Sequence, residues 1–181
     1  MLILNSDEVR RALPMWDTIQ AMKRAYASLS DGKADAPLRT RLAIPPHNGL
    51  TLFMPAYVQT NETEALAVKI VSILPENPKR GLAIIQAAVL VLEADTGRAV
   101  ALLEGASLTA IRTGAGSGAA MDLLARKDSR VVAIFGAGVQ GRTQLEAACT
   151  VRDIQSAWVY DANREQAENF SAEMAGRGRV P

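Results

Sequence analysis

Residues 130–141 read Arg-Val-Val-Ala-Ile-Phe-Gly-Ala-Gly-Val-Gln-Gly, an apolar strand running into a glycine turn and then a helix. A second apolar strand, Ser156-Ala-Trp-Val-Tyr160, follows and ends on Asp161. That order is what a dinucleotide-binding βαβ unit demands. Gly136 permits the tight turn, Gly138 lets the backbone approach a pyrophosphate, and Gly141 lets the helix pack close to the strand. Ala137, Val139 and Gln140 complete the phosphate cradle, where the helix N-terminus offers free N–H groups and the positive end of its dipole. Asp161 lies twenty residues after Gly141, where a carboxylate accepts hydrogen bonds from ribose hydroxyls. No Gly-Lys-Ser/Thr follows the turn, which excludes a P-loop. A glycine-rich turn in another α/β domain, such as a methyltransferase, is the plain alternative.

The chain has 181 residues, enough for one domain or two small ones, and 49% of them are hydrophobic, enough for a packed core. A formal net charge of +1 gives no reason to expect a nucleic-acid or membrane-surface partner, and 4% aromatic residues supply no base-stacking platform. One cysteine, Cys149, rules out an intrachain disulfide. With His47 it makes too small a set for a zinc site, so no metal is expected. His47 sits in a Pro-Pro-His-Asn-Gly turn and reads as a solvated turn residue. Neither a signal peptide nor a membrane-spanning run is visible, so the expected location is cytoplasmic.

Ser6 or Asp7 is expected to cap a first short helix, and Asp17 a longer one. In the latter, Ile19, Met22, Tyr26 and Leu29 recur at helical spacing before a Gly32 C-cap. From residue 39 the period changes to that of strands. About five antiparallel strands are expected, at 39–44, 49–54, 65–74, 82–93 and 99–103, the last entered through the Asp95-Thr-Gly97 turn. Ser107 is expected to cap a helix reaching Leu124. That helix carries Gly114, Gly116 and Gly118, each costing about 1 kcal/mol relative to alanine, so a strand, a helix or a cofactor must approach it closely. The domain boundary is expected near residue 126.

Three cations stand out. Lys69 lies in an apolar strand, on the face of Ala67, Val71 and Ile73. It is either a desolvated lysine that shuttles a proton or an edge lysine that blocks aggregation. Arg112 lies one turn into the glycine-rich helix, where a guanidinium can clamp a carboxylate or pyrophosphate, or simply face solvent. Arg41, like Arg39 and Arg80, reads as a surface residue from its local sequence.

These cations gain meaning as a set. Arg41, the run Gly49-Leu-Thr-Leu-Phe-Met-Pro-Ala-Tyr57, Val68-Lys-Ile-Val71, Asn77-Pro-Lys-Arg-Gly81, Leu108-Thr-Ala-Ile-Arg-Thr113 and the glycine turn follow in one order. The chain resembles the ornithine cyclodeaminase/mu-crystallin family over essentially its whole length. The resemblance implies an α/β chain: residues 1–126 as an α+β substrate and dimerisation domain, then 127–181 as an incomplete Rossmann domain. It implies hydride transfer at the Cα of an amino or imino acid, with NAD, or NADP, as cofactor, in a homodimer. Arg41 and Arg112 would then hold the substrate carboxylate, Lys69 would handle the proton, and Gln86 would be a weaker pocket candidate. Thr113 would join the turn in binding the cofactor phosphates.

Two departures qualify that picture. The family's ornithine-specific members carry a glutamate where this chain has Leu52, which cannot pair with an ammonium. Ornithine cyclodeaminase is therefore the second reading, and a non-catalytic nucleotide-binding protein the third. The chain also stops before the further strands and the catalytic aspartate of the family, so it is expected to be an amino-terminal portion without turnover of its own. Asp161 favours NAD by repelling a 2′-phosphate, while Arg164, three residues on, is placed to receive one.

Overall fold

The computed structural model describes residues 1–60 and 64–181. The chain forms a mixed α/β structure that divides into two compact units. Unit 1 comprises Met1–Ala12 and Ala25–Leu108, and unit 2 comprises Leu13–Arg24 and Thr109–Pro181. Compactness thus divides the chain elsewhere than near residue 126.

Among the described residues, unit 1 is built on a sheet of seven strands: β1 (Leu2–Leu4), β2 (Ala34–Asp35), β3 (Thr40–Ile44), β4 (Gly49–Gln59), β5 (Glu64–Ile73), β6 (Ile85–Leu92) and β7 (Ala99–Glu104). Their order is β1-β7-β6-β5-β4-β2, with β3 also paired to β4. Every pairing is antiparallel except that of β1 with β7. The two strands beyond the expected five have three and two residues, too short for alternation to show. β4 also runs on through Pro55, which lies where β3 has ended and β2 has not begun. There β4 has a strand neighbour on one side only, the setting in which a sheet tolerates proline.

The helix caps differ from those expected. Helix α1 (Ser6–Ala12) is capped by Asn5, whose Oδ1 accepts from Asp7 N at 3.0 Å and Glu8 N at 3.1 Å, while Glu8 Oε2 accepts from Asn5 N at 2.9 Å. This is a capping box shifted one residue ahead of Ser6. Helix α2 (Met15–Ser30) starts directly after Pro14 rather than at an Asp17 cap, and Gly32 ends it at φ +70° as expected. Helix α3 (Gly105–Leu124) is capped by Glu104, which accepts from the N–H groups of Ala106 at 2.7 Å and Ser107 at 2.9 Å. Burial works against its charge, but those donors and Arg10 hold Glu104 below the ordinary glutamate range. Ser107 instead shares a hydrogen bond with Ser6 at 2.7 Å.

Unit 2 contains the residues of α3 from Thr109 onward. It also holds β8 (Val131–Phe135), α4 (Val139–Val151), β9 (Ser156–Tyr160) and α5 (Arg164–Met174). β8 and β9 pair in parallel. One face of the pair is buried with Leu145, Cys149, Phe170 and Met174 around Ile134, while Phe135, Trp158 and Tyr160 on the other face are exposed. Two of the glycines of α3 are explained by neighbouring helices: a Cβ on Gly114 would meet Thr143 O at 2.5 Å, and one on Gly118 would meet Ile19 Cδ1 at 2.7 Å. The buried Arg152 closes the far end of α3. Its guanidinium donates to the carbonyls of Met121, Asp122, Ala125 and Arg126 and to the Asp122 carboxylate. No helix among the described residues is long and apolar enough to cross a membrane.

Candidate functional site

The glycine turn of unit 2 has the geometry its sequence demands. Gly136 adopts φ +103°, a conformation that L side chains disfavour. A Cβ on Gly141 would lie 2.2 Å from Gly136 O, so no larger residue fits there without moving the turn. A Cβ on Gly138 would meet nothing within 4 Å, so the backbone is open to an approaching group there. Gly138 is also the N-cap of α4 and supplies no side-chain cap. The first N–H groups of α4, around the exposed Val139 and Gln140, therefore lack the side-chain acceptor that Asn163 supplies to α5. This is the donor set a pyrophosphate needs, and the residues present fit a dinucleotide.

Asp161 is anchored beneath that turn. Its Oδ2 accepts from Ala137 N at 2.8 Å and its Oδ1 from Asn163 N at 2.9 Å. The Ala137 bond first, and the Asn163 bond next, hold its pKa below the ordinary aspartate range. An ionised carboxylate has about four acceptor directions, so roughly two are left for ribose hydroxyls. Arg164 is highly exposed and ion-paired to Glu168 at 2.8 Å. Thr113, also in unit 2, donates its hydroxyl to Thr109 O at 2.6 Å, leaving that oxygen able only to accept. Arg112 is half-buried on α3.

Unit 1 contributes a sheet face. Arg41 is paired with Leu52, Leu52 with Val71, and Met54 with Lys69. Directly paired residues share a face, so Arg41, Leu52, Met54, Lys69 and Val71 lie on one side of the sheet. Leu52 and Val71 are buried, Lys69 is half-buried and Arg41 is exposed. Gln86 pairs with Ser72, which pairs with Thr51, and this row projects from the opposite face. The structure therefore does not bring Gln86 together with Lys69, and its amide donates instead to Ala83 O at 3.1 Å.

Around the turn, three residues carry weight that the sequence does not disclose. Arg142 donates to Ala137 O at 2.8 Å, forms a forked pair with Glu173 on α5, and lies 5.3 Å from the centre of the Phe170 ring. The pair with Arg142 is the main cause holding Glu173 below the ordinary glutamate range. The visible signal was an arginine directly after the last glycine, while Glu173 and Phe170 reach it only through the fold.

A model of the ornithine cyclodeaminase/mu-crystallin family matches residues 1–180. A Delta(1)-pyrroline-2-carboxylate reductase of Bacillus cereus is 36% identical over 171 residues, which are 94% of this chain and 52% of that protein. The structure of Thermococcus litoralis Delta(1)-pyrroline-2-carboxylate reductase, in complex with NADH and L-proline, matches with a TM-score of 0.87 and 47% identity over 96% of this chain and 53% of that one. An archaeal alanine dehydrogenase dimer with bound NAD matches with a TM-score of 0.89 and 32% identity, covering 99% of this chain and 54% of that one. The chain thus spans about half the length of the relatives it matches.

Proposed function

The chain belongs to the ornithine cyclodeaminase/mu-crystallin family, and from that premise we propose that the whole protein is a nicotinamide-dependent oxidoreductase acting on an imino acid/amino acid couple. The bound nicotinamide supplies or takes up the hydride at the substrate Cα. The 136–141 turn and the first turn of α4 bind the cofactor pyrophosphate, and Asp161 binds the adenosine ribose. Asp161 favours NAD, because a 2′-phosphate would meet a carboxylate held ionised by two N–H donors.

The observation that carries the substrate reading is the register of β3, β4 and β5. It sets two cations on one face with a buried leucine between them. Arg41 and Lys69 are separated by about two interstrand spacings (~10 Å) across the sheet and one side-chain repeat (~7 Å) along it, within reach of one small substrate for two long side chains. In this reading Arg41 binds the substrate carboxylate, the family resemblance assigns Arg112 to the same anion, and Lys69 donates or withdraws the proton on the substrate nitrogen. Leu52 makes the floor apolar and suits a cyclic or aliphatic imino acid better than one with a distal ammonium. A homodimer, as in the archaeal relative, is part of the proposal.

The test is a spectrophotometric screen of the whole protein with NADH and NADPH against small cyclic imino acids. Consumption of NADH with at least one of them is expected. Absence of oxidation with every imine would overturn the oxidoreductase reading. Formation of proline and ammonia from ornithine without net NADH change would replace it with a cyclodeaminase.

A further inference from the structure

We infer that Arg142 is a positioning residue for the phosphate-binding turn, aiming the Gly138 N–H at the ligand by holding the carbonyl on the other side of the same peptide. The inference rests on the reading of the turn as a dinucleotide site.

Two successive peptides of the turn are pinned from opposite sides. The 136–137 peptide is held by its N–H, which Ala137 donates to Asp161 at 2.8 Å. The 137–138 peptide is held by its carbonyl, which accepts from Arg142 Nη1 at 2.8 Å. In a trans peptide the C=O and N–H point in opposite directions. Fixing Ala137 O on the guanidinium therefore turns Gly138 N–H to the side away from Arg142, and a Cβ built on Gly138 would meet nothing within 4 Å, so this residue is uncrowded. Glycine offers little conformational resistance to a flip of this peptide, so the direction of that donor depends on what holds the carbonyl.

Arg142 is itself held rigidly. Its Nε and Nη2 are spent on Glu173, with distances of 2.6–3.0 Å, and its cationic plane rests on Phe170, which is fully buried. Three of its five N–H groups are committed in this way, and the one on Ala137 O ties the side chain to the backbone of the turn. Arg142 thus acts through the backbone, and a carboxylate on α5 sets the aim of a donor in the turn.

The experiment measures dissociation constants of the whole protein for NADH and for ADP-ribose by fluorescence and calorimetric titration, alongside the thermal midpoint. Arg142→Ala is expected to weaken both ligands about tenfold, the equivalent of roughly 1.4 kcal/mol. Arg142→Lys, which can still donate to Ala137 O, should recover binding to within about threefold of wild type, as a retained charge-assisted bond implies. Glu173→Gln keeps an acceptor for Arg142 and should likewise stay within about threefold. Arg142→Met covers Phe170 without donating, and takes the place of the alanine variant if that fails to fold. Unchanged affinity in the alanine or methionine variant, with a lowered thermal midpoint, would make Arg142 merely structural and overturn the inference. If the wild-type protein binds neither NADH nor NADPH, the dinucleotide reading itself fails, an outcome separate from any effect of these variants.

Discussion

The sheet face of unit 1 and the glycine turn of unit 2 solve opposite problems. The sheet arranges side chains: antiparallel register decides that Arg41, Leu52 and Lys69 share a face and that Gln86 does not. The turn places chemistry by backbone, and its key residues matter for the side chains they lack. At Gly141 a single added carbon would collide with Gly136 O. Side-chain sites therefore tolerate substitution structurally and fail chemically, whereas backbone sites can fail in both ways.

Lys69→Met gives the largest effect expected of this contrast. Removing a proton-transfer group costs about 10²- to 10⁴-fold in rate. The apolar replacement keeps the backbone pairing of the strand while imine reduction by the whole protein should collapse. Retained turnover would remove Lys69 from the chemistry. Gly141→Ala comes next. Overpacking against a backbone oxygen should cost about 1–3 kcal/mol in denaturant titration and weaken NADH as well. Gly138→Ala sharpens the contrast within the turn itself. Its added methyl group enters open space, so stability should change by about 1 kcal/mol or less while NADH binding weakens. A large loss of stability there would show that the turn is not open as described.

The smallest effect is one of pH. Asp122, Asp161 and Glu173 all have pKa values lowered in the folded chain, Asp122 first by Lys23, Asp161 first by Ala137 N–H and Glu173 first by Arg142. Depressed carboxylates stabilise above their unfolded pKa, and that contribution disappears as pH falls through the folded values. Acid titration by circular dichroism should therefore show stability lost progressively below the ordinary values of 4.5 for glutamate and 3.8 for aspartate. Stability that rose through that window would contradict the bonding described for these groups.

The same contrast explains what could be read from the sequence. The turn was legible because backbone demands appear directly as glycines: the positive φ of Gly136 and the close approach at Gly141 match what their spacing predicts. The long strands were legible from alternation, but β1 and β2 are too short to show a period. Caps misled because Asn5, Ser6 and Asp7 are adjacent candidates and because Glu104 is an uncommon capping residue. The crowding of α3 glycines was foreseen, while their partners, Thr143 and Ile19, depend on tertiary packing. Arg142 and Arg152 were illegible for the same reason: what a guanidinium does depends on which carbonyls the fold delivers to it.

The packing of Ile19 beneath Gly118 has a consequence for biosynthesis. Ile19 is fully buried, yet its glycine partner is made about a hundred residues later. At 5–20 residues per second a ribosome takes roughly 5–20 s to cover that distance. Throughout that interval the 13–24 segment waits without its partners in unit 2, while the strands of unit 1 are synthesised between them. The glycine turn is consequently not a cassette that can be lifted out of the chain. A graft beginning at Thr109 would leave behind the helix that fills the groove over Gly118, and would carry the turn without part of its own foundation.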